Sequence, residues 1–74
     1  MSAPTGAGIL SESAALGKML RARRRQLGLT QDELADLSGV SVRFLGELER
    51  GKPSVRLDHV LAVARTLGLT ITAS

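Results

Sequence analysis

Residues Leu29–Lys52, with the sequence LTQDELADLSGVSVRFLGELERGK, decide the fold of this chain. Thr30 stands three residues before Glu33, which is the spacing of a capping box at the start of a helix. Gly39 interrupts the pattern, because glycine enters the left-handed conformation at no steric cost. Ser41 then provides a cap for a second helix, which ends before a Gly-Lys-Pro sequence. The stretch therefore predicts two short helices joined by a tight turn, the pattern of a helix-turn-helix.

The composition limits the class of protein. The chain has 74 residues, of which 43% are hydrophobic and 1% aromatic, so it holds one small domain whose modest core would gain from dimerisation. It contains no cysteine, which excludes a disulfide framework and a thiolate metal site. Its apolar runs are too short to cross a bilayer, and its start lacks a signal-peptide pattern. We therefore expect a cytoplasmic protein.

The charge suits an acidic partner, and no catalytic motif is found. The net charge is +3 and the pI is about 10.7, which favours a partner such as nucleic acid, although many basic proteins bind none. The only histidine, His59, lies on the side of a helix that we expect to be exposed, without a cysteine or second histidine to complete a metal site. Neither G-x-S-x-G nor a phosphate-binding P-loop is present. We expect no enzymatic activity and no cofactor.

The sequence resembles a known family in its central motifs. GLTQDELADLSGVS at 28–41, followed by LERGKPS at 48–54, is similar to the Cro/cI-type (Xre) helix-turn-helix proteins. The resemblance implies an all-α, lambda-repressor-like domain of four helices that binds double-stranded DNA at a palindromic operator. The longer run at 21–69, closed by a β-like tail, resembles the HipB-type antitoxin branch. That branch implies a HipA-like serine/threonine kinase toxin as a partner and a C-terminal strand that pairs between two subunits.

Three segments follow from these patterns. Residues 1–10 are rich in Ala, Gly, Ser and Pro and are expected to form a flexible arm. Residues 11–68 form the helix-turn-helix domain, whose first helix begins at a cap on Ser11 or Ser13. The helical periodicity predicts the following core positions: Leu16, Leu20, Leu27, Leu34, Leu37, Val40, Leu45, Leu48, Leu57, Val60, Leu61, Ala64 and Leu67.

The C-terminal segment 69–74 changes its period. Leu69 and Ile71 alternate with Thr70 and Thr72, which favours a strand. A lone strand leaves its backbone groups unpaired, and pairing with the same strand of a second subunit about a two-fold axis would satisfy them. The alternative is a frayed tail that lies on the core.

The residues expected to contact DNA lie at the two helix starts and in the loop after the second helix. Arg43 is the best candidate for base readout, because a guanidinium pairs with guanine in a bidentate way. Glu47 could accept from cytosine or could hold Arg43 in an i, i+4 pair. Phe44 could pack in the core, brace the DNA backbone or meet the partner subunit. The full set is Gln31, Ser41, Val42, Arg43, Phe44, Glu47, Arg50, Lys52 and Ser54.

Two further roles come from the resemblance alone. It implies that Gln31 contacts a DNA phosphate, and that Arg24 forms a structural ion pair with Glu49, next to the Arg-Gly that ends the second helix of the motif. The leading hypothesis is a homodimeric repressor that is also the antitoxin of a toxin–antitoxin pair. A stand-alone Xre-type regulator without a toxin, and an interaction module that uses this fold without DNA, are the alternatives.

Overall fold

Four α-helices account for most of the chain. The computed structural model describes residues 5–53 and 56–70, with side chains from residue 12 onward. The helices are α1 (Thr5–Gln26), α2 (Gln31–Ser38), α3 (Val42–Glu49) and α4 (Leu57–Thr66), and no strand occurs within the described ranges. The helix-turn-helix predicted from the sequence is formed by α2 and α3. None of the described helices is long and apolar enough to cross a membrane.

Local side-chain caps fix the bounds of α2 and α3. The Thr30 hydroxyl accepts from the Glu33 amide at 3.1 Å, and the Glu33 carboxylate accepts from the Thr30 amide at 2.8 Å, which completes the predicted capping box. Gly39 ends α2 with φ of 72°, a left-handed conformation that glycine adopts without strain. Two residues later, the Ser41 hydroxyl accepts from the Phe44 amide at 3.0 Å, and α3 begins.

The first helix begins earlier than its candidate caps predict. It starts at Thr5 rather than at Ser11 or Ser13, so residues 5–10, which were expected to form an arm, continue the helix. Extending an existing helix adds one hydrogen bond for each residue fixed, without a new nucleation step. A serine that could cap a helix therefore does not set the start of α1 when the residues before it are also helical.

The buried core differs from the predicted stripes at several positions. Leu27 is 44% exposed, and Leu37 and Leu57 are each 64% exposed, so these three core predictions are wrong. Leu27 follows the last residue of α1, and Leu57 is the first residue of α4, where no further turn covers them. Helix α2 faces the core through Leu34 and Ala35, which turns Leu37 outward. The buried apolar residues are Leu20, Leu34, Ala35, Leu45, Leu48, Val60, Val63, Ala64 and Leu67.

Helices α1 and α3 approach each other closely at Gly17 of α1. Gly17 is buried in α1, and a Cβ built on it would lie 2.5 Å from the Leu48 carbonyl oxygen and 2.7 Å from that of Glu49. The end of α3 therefore rests on the backbone of α1, at a separation that any larger residue would prevent. Close by, a Cβ on Gly51 would lie 2.8 Å from the Ala14 Cα. These two contacts set the distance between α1 and the C-terminal end of α3.

The last described residues, Leu69 and Thr70, follow α4. Gly68 closes that helix with φ of 75°, and Leu69 is half-buried and packs against the core. Leu69 and Thr70 lie in neither helix nor strand, whereas Ile71 and Thr72 lie outside the described residues. The dimerisation strand therefore stays a prediction.

Candidate nucleic-acid interface

Helix α3 turns a polar face to the solvent. Leu45 and Leu48 point into the core with at most 5% exposure, and the opposite side of the helix faces the solvent. The Arg43 side chain is 89% exposed and Val42 is 43% exposed. Ser41 precedes them at the exposed start of the helix. This is the arrangement that a recognition helix needs, because its N-terminal side chains enter the major groove.

A carboxylate links two cations on this face. The Lys52 ammonium donates to Glu47 Oε2 at 3.1 Å, and Arg43 Nε lies 4.0 Å from the same oxygen. The hydrogen bond from Lys52, together with the charges of Lys52, Arg43 and Arg50, holds the pKa of Glu47 below its ordinary value against a smaller opposing effect of desolvation. The structure therefore contains the expected Arg43–Glu47 pair, but Lys52 is the closer partner.

A buried network holds α3 to α1 and α2. Arg24 Nε and Nη2 donate to the two carboxylate oxygens of Glu49 at 2.7 and 3.1 Å, and Arg24 Nη1 donates to the Leu29 carbonyl at 2.8 Å. The side-chain exposures are 11% for Arg24 and 2% for Glu49. The ion pair that the resemblance implied is present in bidentate form, the geometry in which a guanidinium binds carboxylate most strongly.

The network changes the protonation equilibria of its members. Burial alone would raise the pKa of Glu49, but hydrogen bonds from Arg24 and Gln31 and the charge of Arg24 outweigh it and lower that pKa. The hydrogen bond to Glu49 is the main reason that the pKa of Arg24 is raised. Both groups therefore remain charged at neutral pH, and each satisfies the buried charge of the other.

Gln31 joins this network at the start of α2. Its side-chain amide donates to Glu49 Oε1 at 3.0 Å, and the side chain is half-buried. One amide hydrogen is thereby used inside the protein, and Gln31 is fixed beside the first turn of its helix. Contact between Gln31 and a phosphate stays a prediction.

A polar groove between α1 and α3 adds a cation that the sequence did not single out. Arg21, on α1, lines this groove together with Gln31, Glu49 and Arg50. Gly46 in α3 is buried, and a Cβ on it would lie 3.2 Å from Arg50 Nη1. Arg50 thus folds back over α3 toward the groove. The only sequence signal for Arg21 is its position three residues before Arg24, on an adjacent part of α1.

Comparison with known proteins identifies the family. Residues 20–73 match the family model described as helix-turn-helix (HTH_3). The chain belongs to the Xre-type helix-turn-helix family. The match covers all of α2, α3 and α4 and the last turns of α1, so it includes every element of the exposed face and the groove.

Relatives of this helix-turn-helix protein are regulators. It is 45% identical over 58 residues to the uncharacterized HTH-type transcriptional regulator y4mF of Sinorhizobium fredii, covering 78% of this chain and 76% of that one. It is 33% identical over 58 residues to the immunity repressor protein of Bacillus phage phi105, covering 78% of this chain and 40% of that one.

Solved structures share the fold. The restriction-modification controller protein C.AhdI from Aeromonas hydrophila superimposes with a TM-score of 0.74 at 35% identity, covering 81% of this chain and 91% of that chain. The clp gene regulator ClgR from Corynebacterium glutamicum superimposes with a TM-score of 0.71 at 41% identity, covering 78% of this chain and 62% of that chain.

Phe44, predicted to contact DNA, lies next to the single histidine of this helix-turn-helix protein. Phe44 is half-buried and packs against the core, and its ring meets His59 edge to face with centroids 5.3 Å apart. Of its three possible roles, the structure therefore shows packing within the domain. His59, expected on an exposed side, is half-buried with Nε2 2.8 Å from an Arg56 guanidinium nitrogen. Ser54 lies outside the described residues.

Proposed function

We propose that this helix-turn-helix protein is a sequence-specific DNA-binding transcriptional repressor that acts as a homodimer. The observation that carries the proposal is the exposed first turn of α3, where the Arg43 side chain is 89% exposed. Helix α3 itself is held in place by the hydrogen bonds between Arg24 and Glu49, and no buried polar side-chain atom of the described residues lacks a hydrogen-bond partner. A reading side chain needs such support, because a recognition helix must keep its position when its outer face exchanges water for DNA.

Each residue of the face has a role set by its chemistry. Arg43 reads a guanine in the major groove, and Val42 can contact a thymine methyl. Ser41 already accepts a hydrogen bond from the Phe44 amide, so its hydroxyl hydrogen remains to donate to a phosphate. Arg50 and Lys52 supply phosphate contacts, which position the domain without reading sequence.

A homodimer would explain how a small domain reaches useful specificity. Two copies related by a two-fold axis present two α3 helices to successive major grooves about 34 Å apart, on an inverted repeat. The tail that begins at Leu69, which is anchored on the core, leads to the segment whose alternation favours pairing between subunits. Bound across its own promoter, such a dimer would block transcription.

A narrower function adds a protein partner. The resemblance of residues 21–69 and the tail to HipB-type proteins supports an antitoxin that also binds and neutralises a HipA-like serine/threonine kinase toxin. The alternative is a stand-alone Xre-type regulator, and the phage immunity repressor and the restriction-modification controller among its relatives support that function. The adjacent gene decides between the two, and co-purification with a kinase-like protein encoded there would establish the antitoxin.

DNA recognition is tested by fluorescence anisotropy with labelled duplexes. The operator is first selected by the wild-type protein from a pool of random duplexes, and a scrambled duplex of equal length serves for comparison. Arg43→Ala should lower the preference for the operator by about 5- to 150-fold, the loss of about 1–3 kcal/mol of base discrimination. Lys52→Ala should weaken both duplexes alike and reduce the salt slope by about one.

The matched control is Arg65→Ala, which removes one exposed cation from the end of α4. It should leave the operator preference unchanged. Wild-type protein that binds no duplex contradicts a DNA-binding function, whereas equal binding at about 50 and 200 mM salt contradicts the phosphate contacts of Arg50 and Lys52. An Arg43→Ala variant with full specificity would refute the assignment of the reading residue only.

The dimer is tested by sedimentation. Removal of residues 69–74 should yield monomers and should weaken operator binding much more than it weakens binding to a single half-site. A truncated protein that remains dimeric would show that the subunits meet through another surface.

A further inference from the structure

A single oxygen atom of Glu47 is shared by two cations, Arg43 on α3 and Lys52 in the loop after it. Lys52 Nζ lies 3.1 Å from Oε2, and Arg43 Nε lies 4.0 Å from the same atom. The Glu47 side chain is 28% exposed, whereas the Lys52 and Arg43 side chains are 63% and 89% exposed. The Glu47 side chain is therefore less exposed to solvent than the side chains of the two cations, to which we assign DNA contacts.

The backbone fixes the carboxylate in that place. The Lys52 amide donates to the Glu47 carbonyl at 3.0 Å, so the two residues are joined through both their main chains and their side chains. Glu47 itself lies in the last turn of α3, and α3 is tied to α1 through the next acidic residue, Glu49. Glu47 Oε2 already accepts from Lys52, so acceptance from a base would compete with that bond.

We propose that Glu47 is a specificity-determining residue that does not read a base, but restrains Arg43 and Lys52 and so reduces the attraction of this face for DNA of any sequence. This inference rests on the proposed DNA-binding function and deepens it. It replaces a direct role of Glu47 in accepting from cytosine with an indirect one, in which it positions the residues that do touch DNA.

The charge of Glu47 can raise sequence specificity by lowering the affinity for non-specific DNA. Residues 42–52, which include α3 and the start of the following loop, carry three cations, Arg43, Arg50 and Lys52, and Glu47 offsets one of them. Non-specific binding depends almost entirely on the number of phosphates that cations neutralise. Reducing that number lowers affinity for every sequence. On the operator, the bidentate contact of Arg43 with guanine favours release from Glu47, a compensation that other sequences do not offer.

The ion pairs of Glu47 with Arg43 and Lys52 are weak enough to break when DNA binds. Both cations are more than half exposed, and exposed ion pairs change an equilibrium constant by only about two- to fivefold. The 4.0 Å separation at Arg43 is longer than a hydrogen bond, so Arg43 leaves first and Lys52 remains the firmer partner. The effect on binding should therefore lie in the same two- to fivefold range.

The test compares Glu47→Gln with Asp36→Asn, which removes the same charge from an exposed position on α2 for which no salt bridge is observed among the described residues. Anisotropy titrations use the selected operator and the scrambled duplex over a range of salt. Glu47→Gln should bind the scrambled duplex about two- to fivefold more tightly, with a salt slope steeper by up to about one. Its preference for the operator should fall, and Asp36→Asn should behave as wild type. Far-UV circular dichroism melts verify that both variants fold.

A second variant separates restraint from readout. In the Glu47→Gln background, Lys52→Ala should weaken scrambled binding more than it does in the wild-type background, because Lys52 is then free to reach phosphate. If Glu47→Gln instead weakens the operator alone and leaves the scrambled duplex unchanged, Glu47 reads a base and the proposal is overturned. Equal behaviour of the Glu47 and Asp36 variants would also overturn it. Either result leaves DNA binding intact, whereas a wild-type protein that binds neither duplex refutes the proposed function itself.

Discussion

Replacement of Gly17 by alanine should destabilise this domain, although it improves the helix propensity of α1. The added Cβ would lie 2.5 and 2.7 Å from two backbone oxygens of α3, where ordinary contact begins at 3.4 Å, so the helices must separate by about 0.7–0.9 Å. Backbone atoms cannot rotate away as a flexible side chain can. Overpacking of this kind costs about 1–3 kcal/mol, while alanine in place of glycine gains about 1 kcal/mol within a helix.

The separation also affects the site. Arg24 lies two helical turns beyond Gly17 on α1, and its bonds to Glu49 are 2.7 and 3.1 Å long. A rigid α1 displaced by about 0.8 Å would stretch both beyond hydrogen-bonding distance. We therefore take the upper end of the overpacking cost and expect a net loss of about 2 kcal/mol. For a domain of this size, that loss lowers the melting temperature by roughly 8–16 °C.

The assay is thermal unfolding followed by far-UV circular dichroism, because the chain has no tryptophan or tyrosine for intrinsic fluorescence. Ala15→Gly, at an exposed position of the same helix, measures helix propensity alone and should cost about 1 kcal/mol. Operator binding by Gly17→Ala should weaken as well, since α3 is displaced. A variant that is more stable than wild type by about 1 kcal/mol would refute the close crossing of α1 and α3, because propensity would then be the only effect.

Three further predictions concern the site. The lowered pKa of Glu49 lies below its unfolded value of about 4.3, so its stabilisation is complete above that pH and is lost as the pH falls through the folded pKa. Urea titrations between about pH 5 and 3 should show falling stability, and Glu49→Gln, studied in stabilising sulfate, should lose less over that interval. Ser41→Ala should cost about 1 kcal/mol through the lost cap, whereas Ser41→Asp should keep the cap but weaken DNA binding by repelling phosphate; unchanged affinity of the aspartate variant would place Ser41 away from DNA. Arg21→Ala should weaken operator and scrambled duplexes alike and reduce the salt slope by about one, and a slope equal to that of Arg65→Ala would show that Arg21 faces no phosphate.

Much of the motif was predictable because its decisive bonds join neighbours in sequence. The caps on Thr30 and Ser41 each close over three residues, and the glycine at position 39 adopts the φ that the turn requires. Such bonds depend on the order of residue types along the chain. The exposed position of Arg43 follows from the same local periodicity, since it lies on the side of α3 opposite Leu45 and Leu48.

Periodicity alone was a poor guide at the ends of helices. Leu27, Leu37 and Leu57 fit helical stripes but are exposed, whereas Val63 is fully buried although the predicted stripe omits it. A stripe specifies which residues share a face, but the angle at which another helix crosses decides how far along that face burial extends. The short helices of this domain have few interior turns, so such end effects influence a large part of the core.

The order of residues alone indicates a capped helix-turn-helix with an exposed arginine in the first turn of its second helix. Three features became visible only once the helices were packed: Lys52, rather than Arg43, is the closer partner of Glu47, Arg21 shares a groove with Arg50, and Gly17 sets the distance between α1 and α3. The Arg24–Glu49 pair came from family resemblance, because no local pattern links residues 25 positions apart. The two groups of features differ in the sequence separation of the residues that form them. Caps and turns are bonds between near neighbours, while grooves, crossings and shared carboxylates exist only after packing has brought separate helices together.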